Sequence, residues 1–210
     1  EAAGFDRSHI FFISNNVSRE EMQAVIEKGI LISVDSLSQL ETFGQLCPGG
    51  RICVRLNMGV GAGHSDKVIT GGQHTKFAID PTLFPQMRAL LKKYGLKLVG
   101  INQHIGSLFM DPKPYLEGIR ALLEACKEFP DLEIIDFGGG FGIPYHKQDQ
   151  EPRLDLTALG AEMDRIFTQF VKEYGRQVQL KIEPGRYISA ECCVLLGKAH
   201  AVKTVYGNKY

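Results

Sequence analysis

The chain has 210 residues, enough for one substantial core, and its 24 basic and 24 acidic side chains leave a formal net charge of zero. Basic residues form no run interleaved with aromatics, which argues against a nucleic-acid partner. No apolar stretch is long enough to span a bilayer and no signal-peptide layout is present, so a cytoplasmic, membrane-free protein is expected.

The five cysteines are Cys47, Cys53, Cys126, Cys192 and Cys193. Their odd number, the adjacent pair and the lack of any CxxC spacing indicate reduced thiols, with neither a disulfide framework nor a zinc site. The opening EAAGFDRSHIFFIS, without an initiator methionine, and the closing VKTVYGNKY read as cuts through a larger protein.

Short β-rich runs alternate with amphipathic helices along the chain. HIFFIS (9–14) is a first strand, followed by a helix on MQAVIEK with a Ser18/Glu21 capping box and Gly29 at its end. ILISVD (30–35) leads to a helix started by Ser36 and Gln39, and RICVRLN (51–57) runs into the segment RLNMGVGAGHSDKVITGGQHTKFAID (55–80), which contains a Gly-rich loop. That loop is long enough to suggest function, and its His64 and His74 lack metal-ligand spacing. Asp80–Pro81 starts the next helix, LKLVGINQH (96–104) is a strand, and Asp111–Pro112 starts another helix. LEIIDF (132–137) runs into three glycines. A helix follows, with apolar positions from Leu156 to Val171, and then the strand QLKIEPG (179–185).

Six strand–helix alternations predict a parallel sheet, doubly wound or closed as a (β/α)8 barrel. Polar residues stand at the carboxyl ends of nearly every strand: Asn15 and Asn16, Asp35 and Ser36, Arg55 and Asn57, Gln103 and His104, Glu183 and Arg186. A doubly wound sheet concentrates its site at one switch point, whereas a barrel recruits every strand end, so the barrel is the better reading. About six of eight units are visible.

Three motifs carry chemistry. DFGGGFGIPY (136–145) has bare glycine amides after a strand, suited to a phosphate or simply to a sharp turn. It does not match the GxGxxG dinucleotide fingerprint and no GxxxxGK[ST] occurs. QHIGSLF (103–109) places His104 at a strand end, a rim residue or a catalytic one, with Ser107 able to bond a phosphate oxygen. In IEPGRY (182–187), Glu183 ends an apolar strand, where an unpaired carboxylate is expensive, and Arg186 is its possible ion-pair partner.

Taken together and in this order, HIGS, DFGGGFGIPY and EPGRY resemble the fold-type III pyridoxal-phosphate decarboxylases. ISVDSLSQLE, RLNMG…HTKFAI, LVGINQHIGS and KIEPGRY extend the likeness over essentially the whole chain. Within that family the diaminopimelate branch is the most similar, because the GAGHSDKVITGG loop is longer than its counterpart in ornithine decarboxylases. The resemblance implies an alanine-racemase-type TIM-like barrel over 1–196, with 197–210 starting a C-terminal β domain that is otherwise absent. It further implies a homodimer, pyridoxal 5'-phosphate as cofactor, and decarboxylation of meso-2,6-diaminopimelate to L-lysine. Alternatives are an ornithine, lysine or carboxynorspermidine decarboxylase, or a non-catalytic cofactor-binding homologue.

By the same resemblance Gly138, Gly139, Gly140 and Ser107 hold the cofactor phosphate, the glycines making room for it. His104 stacks on the pyridine ring and Glu183 pairs with the pyridine nitrogen. Arg186 stands at the phosphate and substrate-carboxylate end, Gly185 adds a backbone contact, and Lys76 lies near a subunit interface. The family's cofactor-bonding lysine has no match here. Lys181 shares the strand of Glu183 but not the family position, so this chain alone is expected to be inactive.

Overall fold

The computed structural model describes residues 2–13, 15–63, 69–145 and 150–210. Six strands, β1 (Phe11–Ile13), β2 (Leu31–Val34), β3 (Arg51–Arg55), β4 (Lys97–Asn102), β5 (Ile134–Gly139) and β6 (Gln179–Glu183), form one sheet in sequence order. Every neighbouring pair is parallel. Parallel neighbours need a crossover, and right-handed helical crossovers keep consecutive strands adjacent, which is why spatial order follows chain order.

The sheet curls. Its two edge strands approach each other, with Lys181 Nζ on β6 lying 5.3 Å from the ring centroid of Phe11 on β1. Residues of both edges line one cavity of about 610 Å³. The concave side carries polar groups, among them Ser33, whose Oγ lies 2.6 Å from Asn102 Oδ1 two strands away. The architecture is a curled half-barrel with helices on its outer face, in line with the barrel expectation.

The outer face holds the core. Helices α1 (Arg19–Glu27), α2 (Leu37–Leu46), α3 (Phe84–Tyr94), α4 (Lys113–Cys126) and α5 (Leu156–Tyr174) present apolar stripes to it. Met22, Leu40, Met87, Ile119 and Leu159 from these helices pack on Ile32, Ile52, Ile101 and Ile135 from the strands. Helix starts are those the side chains dictate. Ser18 accepts from Glu21 N–H at 3.1 Å while Glu21 Oε2 accepts from Ser18 N–H at 2.9 Å, a complete capping box. Ser36 caps α2 and Asp155 caps α5. Asp80–Pro81 opens a 3-10 turn, Pro81–Leu83, that runs directly into α3.

Two boundaries differ from the sequence reading. The sixth strand stops at Glu183, because Pro184 has no N–H to continue a ladder, and a short helix α6 (Gly185–Ser189) follows. Near the chain end, β7 (Thr204–Val205) and β8 (Asn208–Lys209) form a separate antiparallel hairpin. Its turn uses Tyr206 and Gly207, both at positive φ. Ser14 and His64 lie outside the described residues. Among the described residues no helix is long and apolar enough to cross a membrane.

Candidate active site at the carboxyl ends of the strands

The site grows out of the last residues of β3, β4, β5 and β6. Beyond β4, the chain turns through Gln103 and His104, and Gln103 N–H still bonds the Asp136 carbonyl of β5 at 3.1 Å. His104 Nδ1 accepts the Gly139 amide at 3.2 Å, so the ring proton of the neutral imidazole sits on Nε2. Burial, with Arg55 nearby, pulls His104 down to about 4. The imidazole is therefore neutral at physiological pH. Its own carbonyl accepts from Arg55 Nη2 at 3.2 Å and from Thr70 Oγ1 at 3.1 Å.

The three glycines have a packing reason that the sequence reading missed. A Cβ on Gly139 would stand 1.8 Å from the Glu183 carbonyl oxygen, and one on Gly138 would stand 2.2 Å from that of Gln103. On Gly140 it would meet the Gly106 oxygen at 2.1 Å. The missing side chains thus make room for neighbouring backbone, a constraint that holds with or without a ligand at the same amides. Gly138 and Gly140 also take φ of +74° and +100°, which L side chains rarely adopt. Phe109 N–H bonds the Gly140 carbonyl at 3.0 Å, which ties the Gly106–Ser107–Leu108 turn to the glycine run. Ser107 is half-buried in that turn.

Glu183 lies opposite Gly139 in the β5–β6 pairing. Its Oε1 is buried with no hydrogen-bond donor facing it. Burial holds its proton well above the ordinary carboxylate range, and the neighbouring Asp136 carboxyl adds to this while Arg55 opposes it. The charged neighbours of Glu183 are thus Asp136 and Arg55. Arg186, the partner considered from the sequence, instead projects from α6 as an exposed side chain whose Nη1 donates to Tyr145 Oη at 3.3 Å. Gly185 is the first residue of the same helix.

Two residues of the site escaped the sequence reading as site members. Arg55 is 8% exposed, lies 5.0 Å over the Phe77 ring, and leaves its Nε without a partner. Asp136 is 1% exposed and bonds the Gly138 amide at 2.8 Å. Both are ionisable groups at the end of apolar strands, which is the signal that flagged Glu183 and applied equally to them.

The Gly-rich loop closes over the end of β4. Ile105 O receives the amides of Ala62 at 3.0 Å, Thr70 at 3.3 Å and Gly71 at 3.2 Å. Asn57 staples its base, accepting from Gly59 and Gly72 N–H and donating to the Gly72 carbonyl. Lys76 stands further along the rim, lining a cavity with Asn15, Asn16, Asp35 and Ser36. An apolar cleft around Leu91, Leu96 and Phe129 lies at the opposite ends of the strands, away from these groups.

Comparison with known proteins identifies the family. Residues 1–190 match the family model described as pyridoxal-dependent decarboxylase, pyridoxal binding domain. The diaminopimelate decarboxylase of Methanothermobacter thermautotrophicus is 36% identical over 97% of this chain and 49% of its own length. That of Streptomyces coelicolor is 33% identical over 99% of this chain and 47% of its own. A crystal structure of diaminopimelate decarboxylase superposes with a TM-score of 0.88 at 31% identity, covering 99% of this chain and 50% of the other. The Helicobacter pylori enzyme complexed with L-lysine gives 0.80 at 26% identity, covering 90% and 48%. The chain spans about half the length of these relatives.

Two outcomes are expected from this geometry in the full-length protein. Gly139→Val places a branched side chain against the Glu183 backbone, so it abolishes soluble, cooperatively melting protein instead of selectively weakening ligand binding. Circular dichroism and a thermal melt check this. For His104, the folded value of about 4 lies below the reference 6.5, so the unfolded chain takes up the proton first as pH falls. Its contribution is complete above 6.5 and is lost toward 4, on the order of 3 kcal/mol. Denaturant unfolding of the cofactor-free protein should show that extra loss relative to His104→Gln, and parallel pH profiles would contradict it.

Proposed function

We propose, on the premise that this chain belongs to the pyridoxal-dependent decarboxylases and forms part of their pyridoxal-binding domain, that its parent protein decarboxylates meso-2,6-diaminopimelate to L-lysine. The single observation that carries the site assignment is Glu183 Oε1, a buried carboxyl oxygen with no donor facing it, beside a neutral His104 at the strand ends. A buried oxygen of this kind is costly unless a ligand completes it. A protonated ring nitrogen completes it. The substrate rests on the names of the relatives, at 36% and 33% identity.

Pyridoxal 5'-phosphate, when bound, supplies an electron sink for the charge left at an amino acid's α-carbon once carbon dioxide departs. The residues of this chain do the holding. Glu183 faces the ring nitrogen as a carboxylate and favours its protonated form, since an opposite charge at hydrogen-bond distance stabilises the cation. His104 supplies a flat neutral surface for one ring face. Because it stays neutral to about pH 4, it adds no positive charge against the protonated ring. The amides of Gly138, Gly139 and Gly140, with Ser107 and Gly185, make the phosphate end, while Arg186 serves the phosphate and the substrate carboxylate.

This reading extends to the whole protein: a cytoplasmic homodimer, with Lys76 near the subunit interface and residues 197–210 beginning a second, β-rich domain. The family's cofactor-bonding lysine has no counterpart in this chain, and Lys181 points at Phe11 within the half-barrel. The 210-residue chain by itself is therefore expected to release no carbon dioxide.

In the full-length enzyme, Glu183→Gln should lower kcat on meso-diaminopimelate by about a hundredfold or more, since it removes a few kcal/mol of charge stabilisation. Cofactor content after gel filtration should remain near stoichiometric. Turnover close to wild type with cofactor bound would overturn the role of Glu183. Preferential release of carbon dioxide from ornithine would overturn the substrate.

A further inference from the structure

Asp136 is a buried acid for which the proposed cofactor contacts have no use. In the pairing of β5 with β6, Asp136 stands opposite Lys181 and Gly139 opposite Glu183, so three steps along β5 pass two along β6. This bulge brings the Asp136 and Glu183 carboxyl groups together on the wall of one cavity shared with Lys181. Two carboxylates in contact and away from water do not both ionise, so one proton remains between them.

The surroundings decide where that proton sits. Asp136 Oδ1 accepts the Gly138 amide at 2.8 Å, and the Lys181 ammonium lies on its side of the pair. Both favour a negative Asp136. Glu183 Oε1 faces no donor. The other ionisable groups around the pair are Arg55 and Cys53 on β3, His104 after β4, Tyr115 on α4, and His9 ahead of β1, which lines the same cavity. Burial keeps the Cys53 thiol and the Tyr115 hydroxyl neutral, so neither supplies a charge that alters this order.

We propose that Asp136 is a positioning residue that acts together with burial to keep one proton on Glu183 while no cofactor is bound, and that this proton is displaced when a ring nitrogen docks against Glu183. The proposal rests on the cofactor reading given above. In the step, the O–H bond of the Glu183 carboxyl breaks. The proton goes to the ring nitrogen if the ring arrives neutral, and to solvent if it arrives already protonated. Either way the complex holds two carboxylates and one N–H cation, with Arg55 and Lys181 as the fixed positive charges beside them. Asp136 thus makes the fully charged acid pair available only with a ring in place.

The test uses cofactor-free full-length protein and 4-deoxypyridoxine 5'-phosphate, a ring analogue without the aldehyde. Titration calorimetry at pH 7 in buffers of different ionisation heat counts protons exchanged on binding. Asp136→Asn removes the negative neighbour while the burial of Glu183 remains, so a larger share of Glu183 is ionised before the analogue binds. Wild type should therefore release more protons than Asp136→Asn, by up to about one, whatever the ring's own state. A role for Asp136 in shape alone would change affinity and leave the proton count equal, which overturns the proposal. Should Asp136→Asn not fold, infrared spectroscopy of wild type decides. A protonated-carboxyl stretch, absent in Glu183→Gln and lost on analogue binding, supports the proposal, and no such stretch in the cofactor-free protein overturns it. Wild type that binds no analogue instead overturns the cofactor reading itself.

Discussion

The site depends on one close approach: the backbone of β5 at Gly139 runs against the backbone of β6 at Glu183, with no side chain between them. The same run brings Gly138 against Gln103 and Gly140 against Gly106. Three strand ends and a turn are thereby drawn to within backbone contact around one point. His104 and Glu183, 79 positions apart in the chain, meet there because each is attached to backbone that the glycines allow to come close.

That contact also sets the electrostatics. Strand ends packed so tightly exclude water, which penalises charge on the buried ionisable groups there. His104 loses its tendency to protonate, Glu183 and Asp136 hold their protons more tightly, and burial works against the charge of Arg55. In such surroundings a cationic ring with an anionic tail is well matched. On the proposed cofactor reading, the carboxyl pair takes the positive end, while backbone amides and an exposed arginine suit the negative end. The half-barrel supplies rigidity through its outer core, leaving the concave side free for polar groups such as Ser33 and Asn102.

Much of this was legible in the sequence because the signals are local. Ser18 with Glu21, Ser36 with Gln39 and Asp80–Pro81 fix helix starts through side-chain hydrogen bonds and a fixed φ. The alternation of β-rich and helical runs fixes a parallel sheet. Polar residues at nearly every strand end pointed to the barrel, and HIGS, GGG and EPGR pointed to His104, the glycines and Glu183. What could not be read was contact between distant segments. The glycines' nearest neighbours are the carbonyls of Gln103, Gly106 and Glu183, in segments distant along the chain, and no local pattern marks them. Asp136 looked like the last polar residue of LEIIDF, and only the β5–β6 bulge reveals it as the partner of Glu183. Arg186 follows Glu183 closely in sequence, yet Pro184 starts a helix that carries it toward Tyr145.

A crystal structure of the full-length protein with pyridoxal 5'-phosphate would show whether glycine-permitted backbone contact builds a pocket in which Glu183 meets a ring nitrogen. Glu183 should lie within hydrogen-bond distance of the ring nitrogen, with His104 against one ring face, its Gly139 contact kept, and the Gly138–Gly140 backbone as it stands here. A cofactor seated elsewhere, or a Glu183 carboxyl turned away from the ring with the strand ends moved apart, would contradict this.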